Sequence, residues 1–215
     1  MNMEMGIALA EPPAPEQVAT GEQLQTVLLQ YGRPLRFAGW NFAGAILKSM
    51  DLRECEFVRC RGGHTDFSSC DLTDARFDAC DLNNSLWRRA HLSGAAFHDC
   101  KLTGILIQEA RTLGLRFAHC LLVNARLPGL SFRKDRLEGL DFQGADLAAV
   151  DFRDAVLINC NLREANVTQA RFEGSDLRGA QLGALRLTDA SRFKGAIISK
   201  HQAADLLAGL GLTVA

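Results

Sequence analysis

The chain has 215 residues, 24 Lys and Arg against 25 Asp and Glu, and a formal net charge of −1. No apolar run approaches the roughly 18 residues that a membrane-spanning helix needs, so we expect no membrane partner. The first residues carry no basic region ahead of an apolar one, which disfavours a secretory signal peptide and favours a cytoplasmic protein.

The N-terminal residues lie outside the regular pattern of the chain. Residues 1–19 contain Pro and Glu and are predicted to form a flexible extension. Thr20 and Gln23 have the spacing of a helix capping box, and an apolar stripe and a glycine follow. We therefore predict a helix over residues 21–30, within an N-terminal cap at residues 20–34, that covers the open end of a coil.

Every fifth residue from Phe37 to Leu187 falls in one apolar register. Of these 31 positions, 29 are Leu, Phe, Ile, Val or Trp, and only Gly62 and Thr112 depart. The residue two positions earlier is mostly small, and all seven cysteines lie there. A period of five fits neither an α-helix nor a flat strand. The pattern therefore predicts a repeat architecture.

Five residues of this pattern would form one side of a coil, and four sides would close a turn. Residues 20 apart then stack above one another, as would Phe37, Phe57, Phe77, Phe97 and Phe117. We predict a solenoid of about eight coils over residues 35–194, in which the five-residue phase is unbroken from Leu35 to Ala190.

The polar residues of the repeat do not predict a catalytic or metal site. His64, His98 and His119 fall at outward positions, whereas each cysteine falls at an inward one, so the two ligand types could not converge on one ion. The cysteines are predicted to be buried free thiols. Ser, His and Asp recur around the wall without a convergent cleft. We expect no metal site, no cofactor and no enzymatic activity.

Several repeats share the pattern of a small residue, Asp or Asn, Leu or Phe, and two polar residues. Examples are Cys70-Asp71-Leu72-Thr73-Asp74, Cys80-Asp81-Leu82-Asn83-Asn84 and Ala145-Asp146-Leu147. In these residues the sequence resembles the pentapeptide-repeat proteins. The resemblance implies an all-β solenoid, the right-handed quadrilateral β-helix of pentapeptide repeats, with short terminal helices. It specifies the fold more closely than the function.

Residues 195–215 are predicted to form a C-terminal helix and a dimerisation tail. Ser199 and Gln202 repeat the capping-box spacing, and an apolar stripe follows. The segment is similar to the tail of the Qnr, MfpA and AlbG group, which in that group joins two protomers. The resemblance implies a homodimer interface at Leu206, Leu207, Leu210, Leu212 and Val214. A simple end cap without dimerisation is the alternative.

The same resemblance implies a function. Members of that group mimic duplex DNA, bind DNA gyrase and protect it from inhibitors. We accordingly expect this chain to bind DNA gyrase or topoisomerase IV, to counter a fluoroquinolone or a natural-product poison, and to bind no nucleic acid directly. The candidate partner-binding acidic residues are Asp66, Asp71, Asp74, Asp81, Asp141, Asp146 and Asp151. The alternative is a general repeat scaffold for another protein partner, which the near-neutral charge favours.

Charge and repeat quality both change in the middle of the chain. Two acidic bands, at 66–81 and 138–154, flank a basic band at 111–136. In this region the inward small site is taken by Leu115, Leu130, Asp135 and Leu140. A charged residue is not expected to be buried unpaired, so we predict a bulged coil near Asp135. The distortion either shapes a contact surface or reflects ordinary decay of the repeat.

Overall fold

The computed structural model describes residues 9–183 and 190–209. Within these ranges the chain forms helix α1 at Gly21–Tyr31, ten short strands, a 3₁₀ helix at Ala190–Phe193 and helix α2 at Lys200–Gly209. The strands are β1 Arg36–Ala38, β2 Glu56–Val58, β3 Arg76–Asp78, β4 Leu86–Arg88, β5 Ala96–His98, β6 Leu106–Gln108, β7 Arg116–Ala118, β8 Arg136–Glu138, β9 Val156–Asn161 and β10 Asp176–Gln181.

The strands pair in parallel with partners one turn away. Eight of them, in the order β1-β2-β3-β5-β7-β8-β9-β10, form a sheet along one side of the molecule, and β4 and β6 pair on another side. Phe37 is the partner of Phe57, and an isolated bridge joins Asp51 to Asp71 on a further side. These pairs advance by 20 residues, except that Ile158 of β9 pairs with Gly179 of β10 at a local shift of register. The fold is thus a four-sided parallel β-solenoid, as the five-residue period predicts, and it has about seven turns where about eight were predicted.

Large apolar side chains fill the axis of the solenoid. The ring of Phe77 stacks between those of Phe57 and Phe97, with centroids 4.6 Å away on each side and interplanar angles of 5° and 6°. Gly62 departs from the apolar register because a Cβ there would lie only 2.8 Å from Cδ2 of Leu82, which occupies the space. The core is therefore continuous through this departure.

The repeat changes phase near its C-terminal end. The ring of Phe172 stacks on that of Phe193 at 4.8 Å, and Asp176 bridges to Ile197. Both pairs are 21 residues apart instead of 20. The five-residue phase, predicted to continue to Ala190, is therefore displaced by one residue before Phe193. Phe193 is the one phenylalanine outside the sequence register, and the displacement returns it to the aromatic column.

The seven cysteines are buried and free, as predicted. Five of them occupy one column, and the thiol of each bonds to a carbonyl of the preceding turn, as Cys80 Sγ does to Phe57 O at 3.2 Å. Burial raises the pKa of Cys55 to about 11 and that of Cys70 to about 12. A neutral, buried thiol is a poor nucleophile, so Cys55 and Cys70 act as small core residues.

The described part of the N-terminal extension, residues 9–19, lies against the first turn. Ala10 forms a parallel bridge with Leu35, and the indole Nε1 of Trp40 donates a hydrogen bond to Pro12 O at 3.3 Å. These contacts attach the segment to the solenoid, where the sequence predicted a flexible extension.

Helix α1 begins directly after Thr20. Gln23 N donates to Thr20 Oγ1 at 3.2 Å and Thr20 N donates to Gln23 Oε1 at 2.9 Å, which is the reciprocal capping box predicted from the sequence. Leu24 and Leu28 are buried and belong to the core cluster. The helix therefore covers the apolar core of the first turn.

Helix α2 is held on the other end of the solenoid by a buried amide. Ser199 and Gln202 form the second predicted capping box, with Ser199 N donating to Gln202 Oε1 at 2.6 Å. The Nε2 of Gln202 then donates to Leu177 O and to Ala180 O, both at 2.6 Å. One side chain thus caps the helix and attaches it to the last turns.

Candidate partner-binding surfaces

The predicted acidic residues have a structural role in the repeat. Six of the seven lie directly before the buried residue of their repeat, and each accepts a hydrogen bond from the backbone N–H two residues further on. Ser68 N donates to Asp66 Oδ1 at 2.9 Å, and the other bonds go to Asp71, Asp81, Asp141, Asp146 and Asp151. This is an Asx-type turn, which a short carboxylate or amide closes well.

These residues do not form one patch. Because each turn has 20 residues and four sides, residues five or ten apart lie on different sides of the solenoid. Asp66 and Asp146 share one side, Asp81 and Asp141 a second, and Asp71, Asp74 and Asp151 a third. Asp74 is the exposed member of the set, and the other six are half-buried.

Neighbouring basic groups partly neutralise these carboxylates. Lys48 Nζ lies 3.1 Å from Asp66 Oδ2, and Arg153 Nη2 lies 2.5 Å from Asp151 Oδ2. The hydrogen bond from Arg153 is the main reason that the pKa of Asp151 is lowered. At Asp66, burial alone would raise the pKa, but hydrogen bonds from Ser68 and Lys48 outweigh it and the pKa is lowered. Local donors therefore match the charge of Asp66 and Asp151.

One group of exposed side chains has the composition of a metal site. Among the described residues, Asp78, His98 and Asp99 lie together, with His98 Nδ1 at 3.2 Å from Asp78 Oδ1 and 3.0 Å from Asp99 Oδ2. The sequence did not reveal this group because its members come from adjacent turns, 20 and 21 residues apart. The three side chains are about half exposed and share a single nitrogen, which is the arrangement of an ordinary surface contact between His and Asp.

The two described residues of the predicted dimer interface, both on helix α2, differ in burial. Leu206 is 7% exposed and packs into the core of its own chain, whereas Leu207 is 38% exposed. Leu210, Leu212 and Val214 lie outside the described residues. Leu206 thus helps to attach α2 to the solenoid, and Leu207 is the described residue that an interface could use.

The ladder of backbone hydrogen bonds is interrupted in the basic band. Elsewhere along this side, the residue of each turn that is equivalent to Thr112 donates its backbone N–H to a carbonyl of the next turn. In the part of the chain that the structure describes, Thr112 N has no such bond to Ser131 O, and Gly114 N also lacks its partner in the next turn. We call this site the ladder break and define it by residues 109–115 and 128–136.

Oversized inward side chains explain the ladder break. Leu115 and Leu130 are buried at sites where the preceding turn has alanine, so the wall must expand to hold them. The pairing of β7 with β8 is reduced to the single pair Ala118 and Glu138. This interruption lies where the sequence predicts a distorted coil near Asp135.

Asp135 itself is half-buried at the ladder break. Burial raises the pKa of its carboxyl, and the charge of Arg116 opposes this only in part. The folded state therefore binds the proton more tightly than the unfolded chain does. Above the raised pKa the ionised group costs stability, and that cost decreases as the pH falls towards the unfolded value.

We expect Asp135→Ala to stabilise the protein at pH 7. The gain should be a few tenths to about 1 kcal/mol, because solvent screens a half-exposed charge, and it should shrink as the pH approaches 4. Urea unfolding of both proteins at pH 7, 5.5 and 4 measures this. A loss of stability at pH 7 would show instead that the carboxylate makes a favourable contact.

The comparisons with known proteins agree with this architecture. A family model described as a pentapeptide repeat region matches residues 35–107, and one described as pentapeptide repeats (8 copies) matches 141–179 and 155–195. The ladder break falls in the stretch between the matched segments. Among proteins of curated function, none matches this sequence. No helix of the described residues is long and apolar enough to cross a membrane.

Solved structures extend the similarity to three dimensions. A trypsin-treated form of QnrB1, a plasmid-mediated fluoroquinolone resistance protein, is 25% identical over 84% of this chain and 88% of its own, with a TM-score of 0.65. Full-length QnrB1 is 22% identical over 83% and 88%, with a TM-score of 0.51. The family matches together cover more than half of the 215 residues, and the chain belongs to the pentapeptide-repeat family.

Proposed function

We propose that this chain is a non-enzymatic, cytoplasmic protein that binds DNA gyrase or topoisomerase IV and protects it from an inhibitor. The observation that carries the proposal is the structural match to trypsin-treated QnrB1, a fluoroquinolone resistance protein, over most of both chains. The inhibitor would be a fluoroquinolone or a natural-product poison of the same enzyme. The protein would act by occupying a surface, without cofactor or chemistry.

The solenoid carries its acidic residues at intervals along two columns, where apolar, polar and basic residues separate them. Asp66 and Asp146 lie in one column along the axis, and Asp71 and Asp151 lie in another. Spaced negative charge on a straight rod is the feature of duplex DNA that a gyrase-binding mimic needs. Since local lysines and arginines neutralise part of this charge, we propose that the shape of the rod contributes as much as its electrostatics.

We further propose that two copies join through helix α2 and the residues after it. Leu207 is exposed next to the buried Leu206, which holds the helix in place. The proposed interface is completed by Leu210, Leu212 and Val214. Apolar side chains of this kind favour a paired state over exposure to water.

A supercoiling assay with purified gyrase tests the proposal. The protein is titrated into reactions that contain a fluoroquinolone or, separately, a natural-product gyrase poison, and we expect supercoiling to recover with at least one of them. Leu207→Glu should convert the dimer to a monomer by light scattering and raise the half-rescue concentration about tenfold. Leu29→Glu changes a leucine that is 77% exposed on helix α1 and is the matched control.

The outcomes separate the parts of the proposal. Folded, dimeric protein that neither rescues nor inhibits gyrase would contradict the function. Rescue that is equal for the parent and for a monomeric Leu207→Glu would contradict only the role of the dimer. Rescue from one poison alone would identify the inhibitor class.

A general scaffold that binds another protein is the second candidate. It is favoured by the acidic residues, which close turns on three sides of the rod instead of forming one strongly negative surface. The net charge of −1 points the same way. Direct binding to immobilised gyrase distinguishes the two, since a scaffold for an unrelated partner would show none.

A further inference from the structure

We propose that the ladder break is a docking site for an extended acidic peptide segment with a central apolar side chain. Such a segment would belong to a partner protein and would add a strand where the solenoid leaves backbone groups unpaired. The inference stands apart from the gyrase proposal, because it uses the basic part of the rod and none of the acidic columns.

The unpaired backbone provides the first contact. Thr112 N and Gly114 N on one turn, and Ser131 N and Arg136 N on the next, lack the ladder partners that equivalent residues have elsewhere in the described repeat. Open strand edges readily accept an added strand, because peptide groups supply donors and acceptors at the right spacing. An extended segment is therefore the backbone form that fits this site.

A cavity at the ladder break provides the second contact. Its volume is about 250 Å³, which suits one apolar side chain. It is lined by Leu115, Phe117, Phe132 and Leu137, together with Asp135 and the arginines beside it. Leu113, two residues before Leu115 in the chain, is an exposed apolar residue of the ladder break. An apolar anchor in a pocket with a polar rim is the usual form of a peptide site.

The charge around the break selects an acidic ligand. The basic side chains here are all exposed: Arg111, Arg116, Arg133, Lys134 and Arg136. Against them stand the half-buried Asp135, Glu138 and the exposed Glu109, while Asp154 lies 3.9 Å from Arg133. All nine groups together carry a net charge of +1, but among the exposed ones five are basic and two are acidic, so the surface should attract a negatively charged segment and orient it along the wall.

Nucleic acid fits the site less well than a peptide does. Single-stranded nucleic acid binds by stacking its bases on exposed aromatic rings. The rings at the ladder break are instead buried, with Phe117 at 4% and Phe132 at 1% exposure. The site offers a cavity for a branched side chain rather than a platform for a base.

Fluorescence anisotropy with a labelled heptapeptide tests the proposal. The probe has a central leucine flanked by glutamates (EEELEEE), and we expect saturable binding that weakens with salt. Arg136→Glu should weaken binding about tenfold. Arg76→Glu is the matched control, because Arg76 occupies the same column where the ladder is continuous, and it should change affinity less than about twofold.

Three results would overturn the proposal. The first is equal affinity for a lysine counterpart of the probe (KKKLKKK), and the second is equal weakening by Arg76→Glu and Arg136→Glu. The third is unchanged binding of an N-methylated probe, which cannot form strand hydrogen bonds. Amide hydrogen exchange at Thr112, Gly114 and Ser131 should slow when the probe is bound, and a purely electrostatic contact would leave it unchanged.

Discussion

Phe77→Ala is expected to cost about 3–5 kcal/mol of unfolding free energy, the largest effect of any single core change considered. The Phe77 side chain is 1% exposed and stacks on a phenylalanine above and below it. Trp87 adds an edge-to-face contact at 5.5 Å. Truncation removes all three contacts and leaves a cavity in the middle of the rod, where the turns on either side cannot move together without breaking the ladder.

Urea unfolding followed by circular dichroism measures the effect, and two variants calibrate it. Phe77→Leu should cost less than about 1.5 kcal/mol, since leucine already fills this column at Leu137, Leu157 and Leu177. Phe193→Ala removes a partly buried ring that, among the described residues, stacks only on Phe172, so its cost should be smaller than that of Phe77→Ala. Equal costs at Phe77 and Phe193 would contradict the role assigned to two-sided stacking.

The five-residue period makes the fold predictable, because it is set by side chains that must point inward on every side. The same reasoning located the distorted coil near Asp135, where a charge occupies an inward site. It also predicted both capping boxes, which depend on two residues three positions apart. In these cases the contacts that determine the structure are local or strictly periodic, so the structure can be predicted from the sequence.

Other features depend on contacts between turns, which no local pattern displays. The one-residue displacement before Phe193 follows from stacking on Phe172, and nothing in the five-residue register of the sequence predicts it. The carboxylates predicted as a binding surface also close turns, because the residue before each buried position can reach the backbone N–H two residues further on. Leu206 faces its own core because Gln202 fixes the rotation of helix α2.

Gln202→Leu should release helix α2 while the solenoid stays folded. The Gln202 amide is 5% exposed, accepts from Ser199 N and donates to two carbonyls of the last turns. Only an amide can do both, since a carboxylate has no proton to donate and an apolar group has neither function. Two buried carbonyls would lose their donors, at about 1–3 kcal/mol for each buried group, and the helix would lose its cap.

Hydrogen exchange resolved by segment distinguishes this local release from global unfolding. Amides of Lys200–Gly209 should exchange at least tenfold faster in Gln202→Leu, whereas those of β2, β3 and β5 should not change. Gln25→Leu alters an exposed glutamine of helix α1 and should leave both regions unaffected. Unchanged exchange in α2 would mean that Leu206 alone attaches the helix.

If α2 is released and the dimer disappears with it, the proposed interface depends on a helix that is positioned by its own solenoid. A dimer that survives the release of α2 would show that the interface lies elsewhere than on α2.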